Sequence, residues 1–400
     1  MKKTAGLDVH KDTVFCGIYD GQHQQEVKEF TTTSASIHSL GEYLQEQGVI
    51  KVALESTGIY WIPVWNILEA MGFDLMLVNP YLIKQMPGRK SDVKDAQWIA
   101  TLLHKQLLRG SLIPDQNIRE LRSYSRRYIH LQRKQTSSLQ ELERVLEMTG
   151  IRITSLVSNI SAKSVRHIIE QVIQGNDNPD DLIKYIHGRI LKRHGVQKTK
   201  EALKGFVLRQ HQFLLEQALE EFDLLEKQSK QCLAKMMELC KKHYAKELAL
   251  LQTIPGISQI SALIIIAETG ADMKAFENSG KFTGWIGLRP RNDQSAGKFK
   301  STATTKGNKY LRTILVQVAW AASRTKGSYF KEKFDRLCIR KPRKKALIAI
   351  SRKISVLIYN ALSKNEPYNP NFLNLFKKET VQKQIQYHKR QLEKLEKTLA

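Results

Sequence analysis

The sequence predicts an α/β domain at the N-terminus, a long helical middle and a mainly helical C-terminal domain. Three observations support this. Short β-prone and helical runs alternate through residues 4–110, an order that belongs to mixed α/β folds with crossover helices. Strand-like runs then disappear, and polar helical patterns fill residues 116–250. Between residues 251 and 365, apolar helical runs surround a stretch rich in glycine and basic residues.

The N-terminal domain is predicted to join an antiparallel part to a parallel part. The runs 6–9, 13–19 and 27–32 follow one another closely, which favours an antiparallel meander. Short apolar runs at 50–55 and 74–78 are typical of buried parallel strands. Helices are expected at 36–47, 59–71 and 94–108, where apolar residues recur at helical spacing.

The middle of the chain carries an apolar stripe at helical spacing among Glu, Lys and Gln. Its members are Leu215, Leu219, Phe222, Leu225, Leu233, Met236 and Cys240. Such a stripe indicates a long helical hairpin or coiled coil, and residues 175–179 are its clearest interruption. A spacer and an oligomerisation arm are both compatible with this pattern.

The C-terminal region is predicted to hold helices at 259–268, 311–324 and 346–363. The turn at residues 255–257, which contains Gly256, resembles a helix-hairpin-helix element, whose exposed backbone N–H groups suit a phosphate. Apolar spacing from Glu379 onward predicts an amphipathic helical tail. The predicted domains are therefore 1–112, 113–249, 250–366 and 367–400.

The balance of charge points to a polyanionic partner. The chain has 64 Lys and Arg against 39 Asp and Glu, a formal net charge of +25. Each cation laid on a phosphate releases a condensed counterion, so a strongly basic chain favours nucleic acid. A basic surface that is merely solvated is the alternative.

Cysteine usage and hydropathy indicate where the protein works. The cysteines form no C-x-x-C pair and lie at no zinc spacing, which is typical of a reduced compartment. The N-terminus has no signal-peptide core, and no run approaches the about 20 apolar residues that a membrane helix needs. We expect a soluble protein of the prokaryotic cytoplasm or nucleoid, with no membrane partner.

Acidic residues stand at two strand positions where an unpaired charge is costly. Asp8 lies between Leu7 and Val9 inside the first strand, and Glu55 ends the fourth. Asp92 and Asp95 are spaced to share one face at a helix start. The helix dipole alone explains that pair well, but it explains neither Asp8 nor Glu55.

Four carboxylates in this strand–strand–helix order could bind hard divalent cations. Magnesium takes oxygen ligands and keeps water in its remaining positions. Two such ions about 3.5–4 Å apart can stabilise both the attacking and the leaving oxygen of phosphodiester cleavage. The sequence thus predicts a Mg²⁺ site, with two ions, at Asp8, Glu55, Asp92 and Asp95.

The segments around these acids, residues 6–11, 54–58, 78–80 and 90–96, resemble the DEDD transposases of the insertion-sequence family IS110. The resemblance implies a RuvC-like, RNase H-like N-terminal domain whose Asp, Glu, Asp and Asp map onto Asp8, Glu55, Asp92 and Asp95. It also aligns Lys11 with a lysine of the family.

The stretch from 284 to 312 interleaves basic residues, hydroxyls and glycines, as a loop that grips a phosphate backbone requires. It contains several candidate nucleophiles, yet a serine becomes one only when a base, metal or cationic setting activates it. The sequence shows no such setting, so from residue chemistry alone Ser295 is a surface serine.

The same resemblance extends to this region and implies a C-terminal serine transposase domain. A Gly-Leu-x-Pro-Arg run and a following serine match residues 287–291 and Ser295. The family's Lys-x-Gly-x-x-x-Leu-Arg run falls on Gly307, Leu311 and Arg312, and its lysine is displaced by one residue to Lys306. The family serine, which forms a phosphoserine intermediate with DNA, falls on Ser295. Ala296 stands between that serine and Gly297 where the family pattern has Ser-Gly, so Ser301 is the rival nucleophile.

Basic residues and glycines in both regions are the predicted nucleic-acid contacts. They are Lys11, Arg89, Lys90, Gly256, Arg289, Arg291, Lys298, Lys306, Arg312, Arg343, Lys344 and Lys345. The resemblance further implies double-stranded DNA as substrate, a structured guide RNA, and a homodimer or homotetramer.

Three functions follow from these observations. The leading hypothesis is a Mg²⁺-dependent DNA transposase or recombinase that uses Ser295. The second is a RuvC-like nuclease or junction resolvase, which would use metal-activated water and the four acids but no serine. The third is a basic nucleic-acid-binding protein without catalysis, which would need neither the acids nor the serine.

Overall fold

The computed structural model divides the chain into two compact units, Met1–Pro114 and Asp115–Ala400. It describes residues 3–56, 58–79, 92–157, 159–291, 293–295, 298–301 and 303–370, with isolated positions between 382 and 392. At positions 56, 92–94, 293–295 and 298–300 it describes the backbone alone. The two units are described separately below.

The first unit is built on a mixed sheet with the strand order β3-β2-β1-β4-β5. Strands β1, β2 and β3 pair antiparallel, whereas β4 and β5 lie parallel to β1. The antiparallel meander and the parallel part predicted from the sequence are both present. The elements of this unit are β1 (Thr4–Val9), β2 (Thr13–Tyr19), β3 (Lys28–Thr31), α1 (Ser34–Glu46), β4 (Lys51–Ser56), α2 (Trp61–Ala70), β5 (Asp74–Val78) and α3 (Asp92–His104).

Successive side chains along each strand point to opposite faces of the sheet, so they pack into two different cores. Leu7 and Leu54 belong to the cluster that α1 and α2 complete. Ala53 and Val78 pack on the opposite face with Ile99 of α3. The sheet is therefore covered on both faces, as the apolar character of β1 and β4 predicts.

The second unit is helical apart from one short β-hairpin. Its long helices are α4 (Gln116–Thr149) and α9 (Arg209–His243), which pack together as an arm. The pairs Gln132–Ser229 and Ser138–Ala218 are hydrogen-bonded, which makes the two helices antiparallel. Between them lie α5 (Lys163–Ile173), α6 (Pro179–Leu182), α7 (Gly188–His194) and α8 (Val196–Leu203). These shorter helices form their own apolar core at the far end of the arm.

The near end of the arm joins a larger core. Ile118 of α4 and Met236 of α9 pack into the same cluster as the helices that follow. Those elements are α10 (Ala245–Gln252), α11 (Gln259–Thr269), α12 (Ser279–Ile286), β6 (Asp293–Ser295), β7 (Lys298–Ser301), α13 (Lys309–Ala322), α14 (Tyr329–Cys338) and α15 (Arg343–Lys364). The sequence predicts α11, α13 and α15, but it does not predict α12 or α14.

Helix α15 is the one candidate membrane span found among the described residues, by length and composition alone. Its apolar side chains Ile350, Ile354 and Ile358 are buried in the core of the second unit. Those contacts account for its apolar character. The amphipathic helix predicted from Glu379 lies largely outside the described residues.

Candidate active site: paired carboxylates and a serine hairpin

Asp8 and Glu55 lie directly opposite one another on neighbouring parallel strands. Their Cα atoms are register partners between β1 and β4. Asp8 is 8% exposed, and Glu55 is half-buried. Because partners in a parallel pair point to the same side of the sheet, the two carboxylates share a face.

That shared face is the one covered by α3. Gly6 and Ala53 precede Asp8 and Glu55 by two residues on their strands, so all four point the same way. Ala53 packs with Ile99 of α3. A Cβ added to Gly6 would lie 2.3 Å from the Ala96 carbonyl oxygen. The carboxylates therefore lie on the helix side of the sheet.

Two glycines allow α3 to lie this close. Gly6 and Gly17 are register partners on β1 and β2. A Cβ on Gly17 would lie 2.8 Å from the Gln97 backbone nitrogen. The Thr4 hydroxyl donates to the Ala100 carbonyl at 3.0 Å and fixes the helix along the strand. A larger residue at either glycine would push the helix off the sheet.

The direction of α3 brings its first turn level with Asp8. Ala100 lies against Thr4 and Ala96 against Gly6, so the helix runs antiparallel to β1. Four helical residues rise about 6 Å, close to the roughly 6.6 Å between Gly6 and Asp8 along the strand. The backbone of Asp92 is therefore at the level of Asp8.

Half-buried Asp95 lies one helical turn after Asp92 on the same helix. The Asp92 side chain lies outside what the structure describes. Among the described side chains, no group of three or more His, Cys, Asp or Glu is close enough to hold a metal. The structure thus shows two things: Asp8 and Glu55 are neighbours on the sheet, and α3, which carries Asp92 and Asp95, packs closely on that face.

His10 is a neighbour of this pair to which the sequence analysis gave no role. Its Nε2 lies 3.3 Å from Asp8 Oδ2, and its ring meets Phe15 edge-on at 6.2 Å. His10 directly follows the end of β1 at Val9, and its closeness in sequence to Asp8 was the available signal. Lys11 is exposed in the following turn, whereas Arg89 and Lys90 lie outside the described residues.

In the second unit, Ser295 is the last residue of a short β-hairpin strand. Ser295 pairs with Lys298 across β6 and β7, and Asp293 pairs with Ser301. The hairpin continues toward its base through Pro290 and Thr304. Ser295 thus lies toward the tip and Ser301 toward the base, roughly 6–7 Å apart along the ladder.

The base of the hairpin is held by two glycines in close contact. Gly287 has φ +85°, and a Cβ on Gly307 would lie 2.4 Å from the Gly287 nitrogen. Asn308 donates its backbone N–H to Trp285 O at 3.2 Å, and its side chain caps α13 through Tyr310 N and Leu311 N. The Gly287-Leu288 and Lys306-Gly307 segments of the sequence therefore meet at one point.

A buried carboxylate, missed by the sequence analysis, lies next to this base. Glu268 is fully buried at the end of α11. Arg126 of the arm donates to both its oxygens at 3.0 and 3.1 Å, and Asn308 Nδ2 donates to Oε2 at 2.7 Å. Arg122 donates to the backbone carbonyls of Ala267 and Glu268 at 2.9 Å each.

Burial lowers the pKa of Arg122 below the usual guanidinium value, although the charge of Glu268 opposes this shift. Arg126 also lies over the Tyr310 ring at 4.7 Å. The network joins the arm, α11 and the cap of α13. An acid that ends the apolar run of residues 260–267 was the sequence signal for it.

The basic residues predicted to contact nucleic acid are placed as follows. Those exposed at the surface of the second unit are Arg289, Arg291, Lys306, Arg343, Lys344 and Lys345. Arg312 is half-buried, and Lys298 is described by its backbone alone. Their contacts with nucleic acid stay predictions.

Gly256 has a packing role in this structure. Its φ is +88°, and an added Cβ would lie 2.5 Å from the Val318 carbonyl oxygen of α13. Ser258 and Ser261 cap the N-terminus of α11. Close packing thus accounts for the glycine, and a phosphate contact at its N–H stays a prediction.

Comparison with known proteins gives matches to both units. Residues 5–151 match the family model described as "Transposase", of the DEDD type of IS110, and residues 248–335 match "Transposase IS116/IS110/IS902 family". A "Probable family 20 transposase" of Pseudomonas aeruginosa is 23% identical over 328 residues, which cover 80% of this chain and 86% of the relative. A "Putative transposase y4pF/y4sB" of Sinorhizobium fredii is 30% identical over 141 residues, 33% of this chain and 35% of the relative.

Among solved structures, the chain is similar to Thermus thermophilus RuvC in complex with a Holliday junction substrate. The TM-score is 0.23 at 15% identity, covering 28% of this chain and 100% of RuvC.

The two family matches and the relatives define the class of the protein as a transposase. Its first unit, a mixed sheet with acids at the helix-covered face, fits an RNase H-like domain, and the remainder is helical. The chain belongs to the IS110 family of DEDD transposases, which are enzymes that cut and rejoin DNA.

Proposed function

We propose that this chain acts as an insertion-sequence transposase whose catalytic residues are Asp8, Glu55, Asp92, Asp95 and Ser295. The observation that carries the proposal is the register of Asp8 and Glu55 on adjacent strands, under a helix that starts at Asp92. A buried acid costs free energy unless it is paired or coordinates a metal, and two carboxylates side by side suit a metal.

The donor set fits a hard divalent cation. Asp8 and Glu55 offer carboxylate oxygens on one face, and the N-terminal part of α3 would supply Asp92 and Asp95. Oxygen-only donors at a half-buried position suit Mg²⁺, and two ions would be held by these four acids. Bound there, Mg²⁺ would neutralise charge on the scissile phosphate and on the attacking and leaving oxygens.

Ser295 would act as the nucleophile. Its Oγ attacks the scissile phosphorus, the hydroxyl proton leaves, and the bond from phosphorus to the leaving deoxyribose oxygen breaks as that oxygen takes up a proton. The resulting phosphoserine keeps the phosphoester bond energy, so a new DNA hydroxyl can reverse the step and rejoin strands without a further energy source. Lys298, Arg289 and Arg291 would stabilise phosphate charge near the hairpin.

The partners in this proposal are the double-stranded DNA of the element ends and target, together with a structured guide RNA. A homodimer or homotetramer would let the serine of one subunit act with the acids of another. The support is the net charge of +25 and the division of the predicted groups between two compact units.

The test measures strand cleavage and covalent protein–DNA adducts on DNA that carries an element end, with Mg²⁺ and with chelator. We expect Asp8→Asn and Glu55→Gln to lose cleavage at least 100-fold, and Ser295→Ala to lose the adduct. Glu42→Gln, an exposed acid on α1, and Ser301→Ala are the matched controls and should retain both activities.

Three outcomes would replace all or part of this proposal. Adducts that persist in Ser295→Ala but vanish in Ser301→Ala would move the nucleophile. Cleavage by Ser295→Ala at the wild-type rate, without adducts in either protein, would favour a nuclease that uses activated water. Nucleic-acid processing that survives both acid substitutions would exclude the metal site.

A further inference from the structure

Cations gather on one side of the helical hairpin formed by α14 and α15. Lys333 and Arg336 are one turn apart on α14, and Arg340 continues the row in the connection. Lys353 comes from α15. Burial, then the charges of Arg336, Lys353 and Arg340, lowers the pKa of Lys333, so all three lie within electrostatic reach of Lys333.

Apolar packing on the other side of the hairpin holds this group in place. Phe330 and Phe334 of α14 are 0% and 8% exposed. On α15, Ile350 and Ile354 are buried in the same core. The cations are therefore carried on two helices fixed by the core, with Arg336 and Arg340 fully at the surface.

Among the described residues, no acid forms an ion pair with this group. Within the part of the chain that the structure describes, no ion pair up to 4.0 Å involves Lys333, Arg336, Arg340 or Lys353, and neighbouring Asp335 bonds Lys331 at 2.9 Å. Ten Lys and Arg stand against two acids between Tyr329 and Lys353. In the arm, by contrast, Lys230 is paired with Glu226 at 3.0 Å.

An uncompensated group of like charges destabilises the folded chain through mutual repulsion. A fold retains such a group at no cost to itself only when an anion covers it. The spacing of the cations along a helix and across to its neighbour suits a line of phosphates better than one small anion. Exposed Arg343, Lys344 and Lys345 prolong the line at the start of α15.

We propose that the α14–α15 cationic face, defined as Lys333, Arg336, Arg340 and Lys353, binds the phosphodiester backbone of nucleic acid without reading bases. The inference rests on the proposed function in that the ligand is nucleic acid, but it requires neither the metal site nor the serine. Arg336 and Arg340 present forked donors that match phosphate oxygens.

The test is a salt series of binding to a random-sequence DNA duplex and to a folded RNA of equal phosphate number, in chelator. The test variant carries Lys333→Gln, Arg336→Gln, Arg340→Gln and Lys353→Gln. Its slope of log affinity against log salt should fall by about 3–4 for duplex DNA, because each contacted phosphate contributes about 0.9. Its melting temperature should equal or exceed that of the wild type, because repulsion is removed.

The matched control removes the same four charges from paired lysines. Lys184, Lys230, Lys235 and Lys281 each lie near an acid, at 2.6, 3.0, 2.9 and 3.9 Å. Their substitution by Gln should change the slope by less than about 1. A loss confined to the DNA arm or to the RNA arm would assign the face to that nucleic acid.

Equal slopes for the test and control variants would overturn the proposal, and so would a test variant that melts below the wild type. The proposed function can fail separately. A wild-type chain that does not cut DNA, or an Asp8→Asn chain, should show the same dependence of binding on the α14–α15 cationic face.

Discussion

Replacing Gly6 by alanine would test whether the approach of α3 to the sheet sets the candidate metal site. The added Cβ would meet the Ala96 carbonyl oxygen at 2.3 Å and the Ala100 nitrogen at 2.4 Å, about 1 Å inside the 3.4 Å of ordinary contact. Both contacts are backbone, so no side chain can turn aside. The helix must move outward by roughly 1 Å or the strand must bend.

The expected cost has two parts. Overpacking of this kind destabilises by about 1–3 kcal/mol, and we expect the upper end because the obstruction is backbone. For a unit of this size that corresponds to a fall of roughly 10 °C in melting temperature. A displacement of about 1 Å in Asp92 and Asp95 relative to Asp8 should lower cleavage by about 100-fold.

The assays are thermal unfolding followed by circular dichroism, and Mg²⁺-dependent strand cleavage at a temperature where the variant is folded. Gly188→Ala is the control, because a Cβ at Gly188 meets nothing within 4 Å. Gly17→Ala, with its contact at 2.8 Å, should fall between the two. Wild-type cleavage by a folded Gly6→Ala protein would refute the argument that helix approach sets the carboxylates.

Three further predictions concern other parts of the molecule. Glu268→Gln should destabilise the second unit by about 1–2 kcal/mol, because it removes the charge of a buried carboxylate from Arg126, whose partly exposed guanidinium is screened by solvent; urea unfolding measures this, and Glu238→Gln at an exposed pair should change little. Gly307→Ala should abolish serine adducts, because its Cβ would lie 2.4 Å from Gly287 N at the base of the hairpin. Proteolysis should show that the unfolding of residues 1–114 is unchanged. Burial raises the pKa of the Cys16 and Cys240 thiols from the usual 9.0 to about 12. Both thiols should resist alkylation at pH 8 in the native protein, and equal labelling of native and denatured protein would contradict this. Because the thiols ionise at lower pH in the unfolded chain, the free energy of unfolding should decline as pH rises from about 9 to about 12.

The sheet could be predicted because its signals are local. Apolar runs of strand length define β1, β4 and β5, and the polar turn at residues 10–12 separates β1 from β2. The acids Asp8 and Glu55 were also visible, since each interrupts an apolar strand. Their register could not be predicted, because it depends on the pairing of strands more than forty residues apart.

The second unit was harder for a physical reason. Helix α12 contains two glycines, and half of the residues of α14 are charged. Both helices are stabilised by the core rather than by local preference. Glu268 could not be assigned from sequence because its partners Arg126 and Asn308 lie far away along the chain. The resemblance supplied Ser295, and local chemistry did not.

Because α4 and α9 pack together, the arm can change length only by insertions that keep the same helix faces in contact. Each residue inserted into α4 would rotate everything beyond it by about 100° and advance it by about 1.5 Å. Seven residues would restore the original orientation to within about 20°. Because Gln132 and Ser138 bond α9 directly, an insertion on one side must be matched on the other. Arms of viable length should therefore differ by whole heptads in both helices, and the small core at the far end should be carried outward in steps of about 10 Å.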